Sequence, residues 1–108
     1  MNGPGLEFEW DEANKGHIAR HGVTPKETEE ALLLGTLEIE MQVANASDGE
    51  ERLLQLGETA QGRILQIVTT WRGGKVRVIS AWDAPSQLEQ YYFAEMRRRY
   101  GNIEDSEV

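Results

Sequence analysis

Arg63-Ile64-Leu65-Gln66-Ile67-Val68-Thr69-Thr70-Trp71-Arg72-Gly73-Gly74-Lys75-Val76-Arg77-Val78-Ile79-Ser80-Ala81-Trp82 is the stretch that decides the fold. Two β-rich runs, Arg63 to Trp71 and Lys75 to Trp82, flank a Gly-Gly pair able to take the positive dihedrals of a two-residue hairpin turn without strain. Such a turn sets a register with Arg72 opposite Lys75, Thr70 opposite Arg77, Val68 opposite Ile79 and Gln66 opposite Ala81 on one face. On the other face Trp71, Thr69, Ile67 and Leu65 oppose Val76, Val78, Ser80 and Trp82. The second set is the more apolar and aromatic, so it is assigned to the core. Arg72, Lys75 and Arg77 then cluster on the opposite face.

Upstream of the hairpin, Leu37, Ile39, Met41 and Val43 alternate with Glu38, Glu40 and Gln42, the pattern of a half-buried strand. Ala44 to Glu50 reads as a loop, Arg52 to Glu58 as a further strand, and Gln61-Gly62 as a turn. Thr24-Pro25-Lys26-Glu27 forms a capping box with Pro at the first helical position, and the helix that follows carries Ala31, Leu32, Leu33 and Leu34 before stopping at Gly35. An earlier helix is read over roughly Glu12 to His21, capped by Asp11 and preceded by a short strand at Phe8-Glu9-Trp10. Downstream, Pro85 and Ser86-Gln87-Leu88-Glu89 carry helix-start chemistry. Leu88, Tyr91, Tyr92, Met96 and Arg99 recur at helical spacing up to about Tyr100. The expected order is short strand, helix, helix, four antiparallel strands and helix, an α+β arrangement with helices packed on a sheet.

At 108 residues the chain is expected to be a single domain, 1–108, with an ordered core over about 6–101 and a mobile acidic tail at 102–108. It has no cysteine, which excludes disulfides, thiolate nucleophiles and zinc-thiolate sites and fits a reducing cytoplasm. Met1 to Leu6 offers no basic start followed by an apolar run, and the longest apolar stretches, such as Ile64 to Val68, are strand-sized. The expectation is therefore a cytoplasmic chain with no membrane role. The net charge of -8, from 19 acidic and 11 basic residues, repels phosphate backbones on average. Any nucleic-acid binding has to come from a local arrangement of arginines.

Phe8-Glu9-Trp10-Asp11-Glu12-Ala13-Asn14-Lys15, followed by Ile18-Ala19-Arg20-His21-Gly22-Val23, resembles the opening of BrnT toxins. Glu50-Glu51-Arg52, Gly57, Gly62-Arg63 and Val76-Arg77-Val78-Ile79-Ser80-Ala81 resemble the rest of that family's pattern in order and spacing, from Phe8 to about Tyr92. The resemblance implies a RelE-like fold, cofactor-free and metal-independent cleavage of RNA that inhibits translation, and a hetero-oligomer with a BrnA-like ribbon-helix-helix antitoxin. That antitoxin would neutralise the toxin and supply the only contact with DNA. Family members usually follow the Ile-Ser-Ala run with Arg, then often Lys and Ala. Here Trp82, Asp83 and Ala84 follow it, an indole and a carboxylate that lower the local affinity for phosphate.

Metal-free RNA cleavage needs the 2'-hydroxyl deprotonated, the charged transition state stabilised and the leaving oxygen protonated. Arginine supplies fixed, bidentate positive charge, which makes Arg77, Arg52 and Arg63 the first catalytic candidates, with Arg72 and Lys75 as RNA-binding cations. On half-exposed strands the same arginines can instead pair with Glu38, Glu40, Glu51 or Glu58. His21 is the candidate general acid or base by type, and beside Gly22 it can equally serve as a helix C-cap. His17 and His21 have the four-residue spacing used by metal sites, but no third ligand is specified and no metal site is expected. Trp71, Trp82, Tyr91 and Tyr92 are able to stack on bases, although their spacing assigns them to the core. Arg97 to Arg99 complement the dipole of the last helix.

Two readings follow. One is the toxin of a type II toxin-antitoxin pair, an antitoxin-regulated endoribonuclease. The other is a BrnT-like binding module, decayed in catalysis at Trp82 and Asp83, that holds the antitoxin for operon autoregulation. A structural partner with no nucleic-acid role is a third. The partner is expected to cover the arginine face or a sheet edge, through a basic or near-neutral surface.

Overall fold

The computed structural model describes residues 6–39 and 51–101. In chain order its elements are β1 (Phe8–Glu9), α1 (Glu12–Ala19), α2 (Pro25–Leu34), β2 (Thr36–Glu38), β3 (Leu53–Glu58), β4 (Ile64–Arg72), β5 (Lys75–Asp83) and α3 (Ser86–Met96). A π-helical turn, Arg97–Gly101, continues α3. The class is α+β, with three helices on one sheet. That sheet has five strands where four were expected, in the order β1-β5-β4-β3-β2. It is mixed, because β1 joins parallel to β5 while β2 to β5 are antiparallel to one another. The expected strand residues from Glu40 to Val43, the expected loop Ala44 to Glu50, residues 1–5 and the acidic tail lie outside the described residues.

Both first helices begin on reciprocal caps. The Asp11 carboxylate accepts from the Asn14 backbone N–H at 3.1 Å, and Asn14 Oδ1 accepts from the Asp11 N–H at 2.8 Å. Thr24 and Glu27 exchange the same pair of bonds at 3.2 and 3.0 Å, as their spacing predicts. The first helix ends at Ala19, two residues before the expected His21, with Arg20 as its C-cap. Gly22, at φ 70°, then turns the chain toward α2. At the start of α3 Pro85 occupies the N-cap with no side-chain bond, so the expected capping chemistry is absent there.

Each face of the sheet carries its own core. Ile18 and Val23, with Ala31 from α2, pack on Leu65, Ile67, Val78 and Ala81. The alternate residues Leu37, Leu56 and Ile64 receive Tyr92, with Leu88 and Met96, from α3 on the opposite face. Helix α2 lies very close to β3 at Gly57, where an added Cβ would stand 2.9 Å from Ala31 Cβ and 3.0 Å from its carbonyl oxygen.

The hairpin turns on Gly73 and Gly74 at φ 60° and 81°. Arg72 faces Lys75, Thr70 faces Arg77 and Thr69 faces Val78, as expected. Beyond them the expected register is overturned: Val68 faces Ser80, Ile67 faces Ala81 and Gln66 faces Trp82. Ile79 is an extra residue, a β-bulge, and one extra residue exchanges the faces of everything after it. Ala81 thereby enters the core under α1 and α2, whereas Trp82 leaves it. Trp71 also departs from its core assignment and is 56% exposed, because it stands one residue from the turn, where the helical layer does not close over it. Tyr91 is exposed and Tyr92 buried, a split set by the i, i+4, i+8 line of Leu88, Tyr92 and Met96.

Candidate active site

Strand β1 pairs only with Val76 and Arg77, so among the described residues the outer edge of β5 carries no strand from Val78 to Asp83. Asn14, buried, donates from Nδ2 to Glu9 O at 2.9 Å and Val78 O at 3.1 Å, tying α1 to both strands where β1 stops. Beside that point Ala13, Asn14, His17, Arg77 and Ile79 line a shallow groove of about 230 Å³. Its neighbours along the edge are His21 and Trp82. The imidazole of His21 lies 6.0 Å from that of His17 and 6.0 Å from the Trp82 indole, ring centre to ring centre.

Arg77 is only 9% exposed and already held. Its Nη1 donates to Asp11 Oδ2 at 2.9 Å and Glu9 Oε1 at 3.0 Å, and Nη2 donates to Asp11 Oδ1 at 3.2 Å. Arg72 approaches the same Glu9 at 3.7 Å. The bonds that Arg77 donates to Asp11, then the one to Glu9, outweigh burial and hold its guanidinium more firmly protonated, while Arg77 holds the Asp11 carboxyl below its usual range. Two arginines and two carboxylates sum to zero, so the geometry of Arg77 is fixed but its charge is locally balanced.

Arg63 is bound still more completely. Nε and Nη2 donate to the two oxygens of Asp83 at 2.6 and 3.2 Å, and Nη1 donates to Glu27 at 3.1 and 3.0 Å and to the Gly22 carbonyl at 2.9 Å. The Asp83 bonds chiefly, with those of Glu27, raise the Arg63 pKa against the pull of burial, and Arg63 lowers that of Asp83. Burial pushes Glu27 upward, but the Thr24 backbone N–H and Arg63 outweigh it and the carboxyl sits below its usual range. The expected alternative, arginines paired with glutamates, therefore describes both Arg63 and Arg77. Among the described residues their partners are Glu9, Asp11, Glu27 and Asp83, and not Glu38, Glu51 or Glu58; Glu40 lies outside the described residues.

Continuing the β3 ladder places Arg52 beside Thr70, which pairs with Arg77. Arg52 Nε is buried with no hydrogen-bond partner among the described residues. Arg72 and Lys75 are exposed at the hairpin tip. His21 is exposed just past α1 and is not the capping residue. His17, which the sequence offers only as half of a metal pair, brings its ring to 6.0 Å from that of His21, although His21 lies beyond the end of α1. Among the described residues no group of three His, Asp or Glu gathers that is able to hold a metal ion.

The arrangement is that of a small α+β protein with two imidazoles, a fixed guanidinium and an indole gathered along one unpaired strand edge. Residues 10–87 match the family profile described as "Ribonuclease toxin, BrnT, of type II toxin-antitoxin system". That is more than half of the chain, which belongs to this family of ribonuclease toxins. A type II toxin-antitoxin family implies an antitoxin partner. Among curated proteins none matches the chain. No helix among the described residues is long and apolar enough to cross a membrane.

Proposed function

We propose that the chain is a metal-independent endoribonuclease toxin that inhibits translation by cutting RNA along the outer edge of β5. In this reading a BrnA-like ribbon-helix-helix antitoxin neutralises it in the cytoplasm, the 108 residues form one domain, and the helix-flanked sheet is RelE-like. The observation that carries the reading is that His17 and Arg77 line one groove with His21 and Trp82 beside it. One imidazole takes the proton of the 2'-hydroxyl as its oxygen attacks the adjacent phosphorus, and the other protonates the departing 5'-oxygen. Arg77, oriented by Asp11 and Glu9, donates to the non-bridging oxygens as charge builds on them. Trp82 offers a face for a neighbouring base. Lys75, Arg72 and Arg52 extend the RNA path toward the hairpin, whereas Arg63, whose three nitrogens are occupied, is withdrawn from the catalytic set.

The test is the purified chain incubated with RNA in excess chelator. Cleavage that persists there and falls on the order of 100-fold or more in both His21→Gln and His17→Gln supports the reading. Cleavage unchanged in both substitutions refutes this site. Induction in cells should arrest growth, and co-expression of the neighbouring antitoxin gene should relieve it. The balanced charges of Arg63 and Arg77 favour one competing reading, a decayed module that only holds the antitoxin. That reading requires a folded chain that binds the antitoxin and leaves RNA and growth untouched.

A further inference from the structure

Arg63 binds the residue that follows His21 and the residue that follows Trp82. Its Nη1 donates to the Gly22 carbonyl at 2.9 Å, and its Nε and Nη2 fork onto the Asp83 carboxylate. The backbone beneath the guanidinium is itself pinned, since Arg63 N donates to Thr59 Oγ1 at 3.0 Å and the Thr59 N–H to Arg63 O at 2.9 Å. Glu27, on α2, takes Nη1 from the other side and is anchored in turn by the Thr24 cap. A planar guanidinium held at all three nitrogens cannot swing without breaking a charged bond. The short turn between α1 and α2, which carries exposed His21, and the end of β5, which carries Trp82, are therefore fixed to one rigid group.

We propose that Arg63, with Asp83 and Glu27, is a positioning clamp that seats His21 against Trp82, and that Asp83 is its anchor. The carboxylate that stands at 83 is then not a decayed phosphate contact but the part that sets the distance between imidazole and indole. The geometric claim stands on the bonds above. Its effect on activity rests on the ribonuclease reading, because His21 acts on RNA only in that reading. A displacement of about 1 Å at a reacting group costs on the order of 100-fold in rate, so a loosened turn shows in kcat more than in KM.

The experiment exploits the chain's two histidines. In a His17→Gln background the one remaining imidazole is followed by NMR, and Trp82→Leu identifies the part of its shift that comes from the indole ring. Asp83→Asn and Arg63→Lys are expected to abolish that ring-current offset while circular dichroism keeps its folded signature. Glu27→Gln, which retains the capping bond to Thr24, should reduce the offset and serves if Asp83→Asn does not fold. With His17 intact, Asp83→Asn should lower kcat for RNA cleavage by about 10- to 100-fold with KM little changed. An offset that survives in both Asp83→Asn and Arg63→Lys overturns the clamp. An offset lost in a chain whose wild type cuts no RNA upholds the clamp and overturns the ribonuclease reading instead.

Discussion

Asp11 caps α1 and holds Arg77 with the same carboxylate: its Oδ1 accepts from the Asn14 N–H and from Arg77 Nη2, and its Oδ2 from Arg77 Nη1. The two tasks separate by substitution. Asp11→Ser keeps a cap oxygen and loses the charge, whereas Asp11→Ala loses both. The expected order of thermal midpoints is wild type above Asp11→Ser above Asp11→Ala. RNA cleavage should fall in both variants to a similar extent, since each removes the two Asp11 bonds that orient Arg77 and leaves the one to Glu9. Equal midpoints for Ser and Ala would show that the cap contributes nothing.

Three of the carboxylates that hold the two arginines, Asp11, Glu27 and Asp83, also tie stability to pH. Arg77 lowers Asp11, Arg63 lowers Asp83, and Glu27 is lowered in spite of its burial. A carboxyl depressed in the folded state binds its proton more readily once unfolded, so stability rises with pH through that window. The contribution is complete above the ordinary values of 3.8 and 4.5 and is lost as pH falls toward the depressed ones. Urea unfolding should show a flat midpoint above about pH 5 and a decline below it. Arg63→Met should be less stable at neutral pH and should decline less steeply in acid. An equally steep decline in that variant would place the acid sensitivity elsewhere.

At Gly57 the fold depends on a missing methyl. A Cβ there meets Ala31 Cβ at 2.9 Å, the Ala31 carbonyl oxygen at 3.0 Å and its carbon at 3.2 Å. Two of those three atoms are backbone, so the helix itself must shift. Gly57→Ala should cost about 1–3 kcal/mol by chemical denaturation. Ala31→Gly removes only the methyl contact and by itself costs the helix about 1 kcal/mol. The double substitution should therefore be less destabilised than the sum of the singles, yet remain below wild type. Strict additivity would mean that the two residues do not meet.

Tyr92 is 4% exposed and is the buried side chain by which α3 reaches the sheet. Its hydroxyl donates to Glu58 at a long 3.4 Å, so the ring and not the hydroxyl supplies most of the attachment. Tyr92→Phe should cost less than about 1 kcal/mol and Tyr92→Ala about 3–5 kcal/mol. Hydrogen exchange in α3 should quicken in Tyr92→Ala while β4 and β5 stay protected. Uniform loss of protection would show instead that α3 and the sheet open as one unit.

The hairpin shows where local sequence is informative and where it stops. Gly73-Gly74 and alternation place Thr70 opposite Arg77 and Thr69 opposite Val78, because turn type and pleat are local properties. Nothing in Val78-Ile79-Ser80 announces a bulge, and that single extra residue moves Trp82 out of the core and into reach of His21. The caps of α1 and α2 were legible for the same local reason. The parallel pairing of β1 was not, since two residues carry no pattern for a contact nearly seventy positions away. The arginines were legible as a chemical type but not by partner: Glu9 and Asp11 for Arg77, and Glu27 and Asp83 for Arg63, meet them only through tertiary packing. The sequence shows His17 four residues before His21, and only the groove His17 shares with Arg77 gives that spacing a non-metal use.

Salt dependence tests how much phosphate the edge is able to hold. Arg77 and Arg72 stand against Glu9 and Asp11, and Arg63 against Glu27 and Asp83, so these arginines bring little net charge to RNA. A single strand loses affinity with a slope of about -0.7 per phosphate neutralised. If the candidate site holds only the scissile phosphate and one neighbour, the slope should lie at about -1.4 over roughly 50 to 200 mM salt. The measurement is fluorescence anisotropy with an oligonucleotide lacking 2'-hydroxyls, which binds without being cut. A slope of about -4 would require several more phosphate contacts. They would have to come from the hairpin face, where Lys75, Arg72 and Arg52 lie, and Lys75→Ala would then flatten the slope by close to one phosphate while leaving His21 and Trp82 in place.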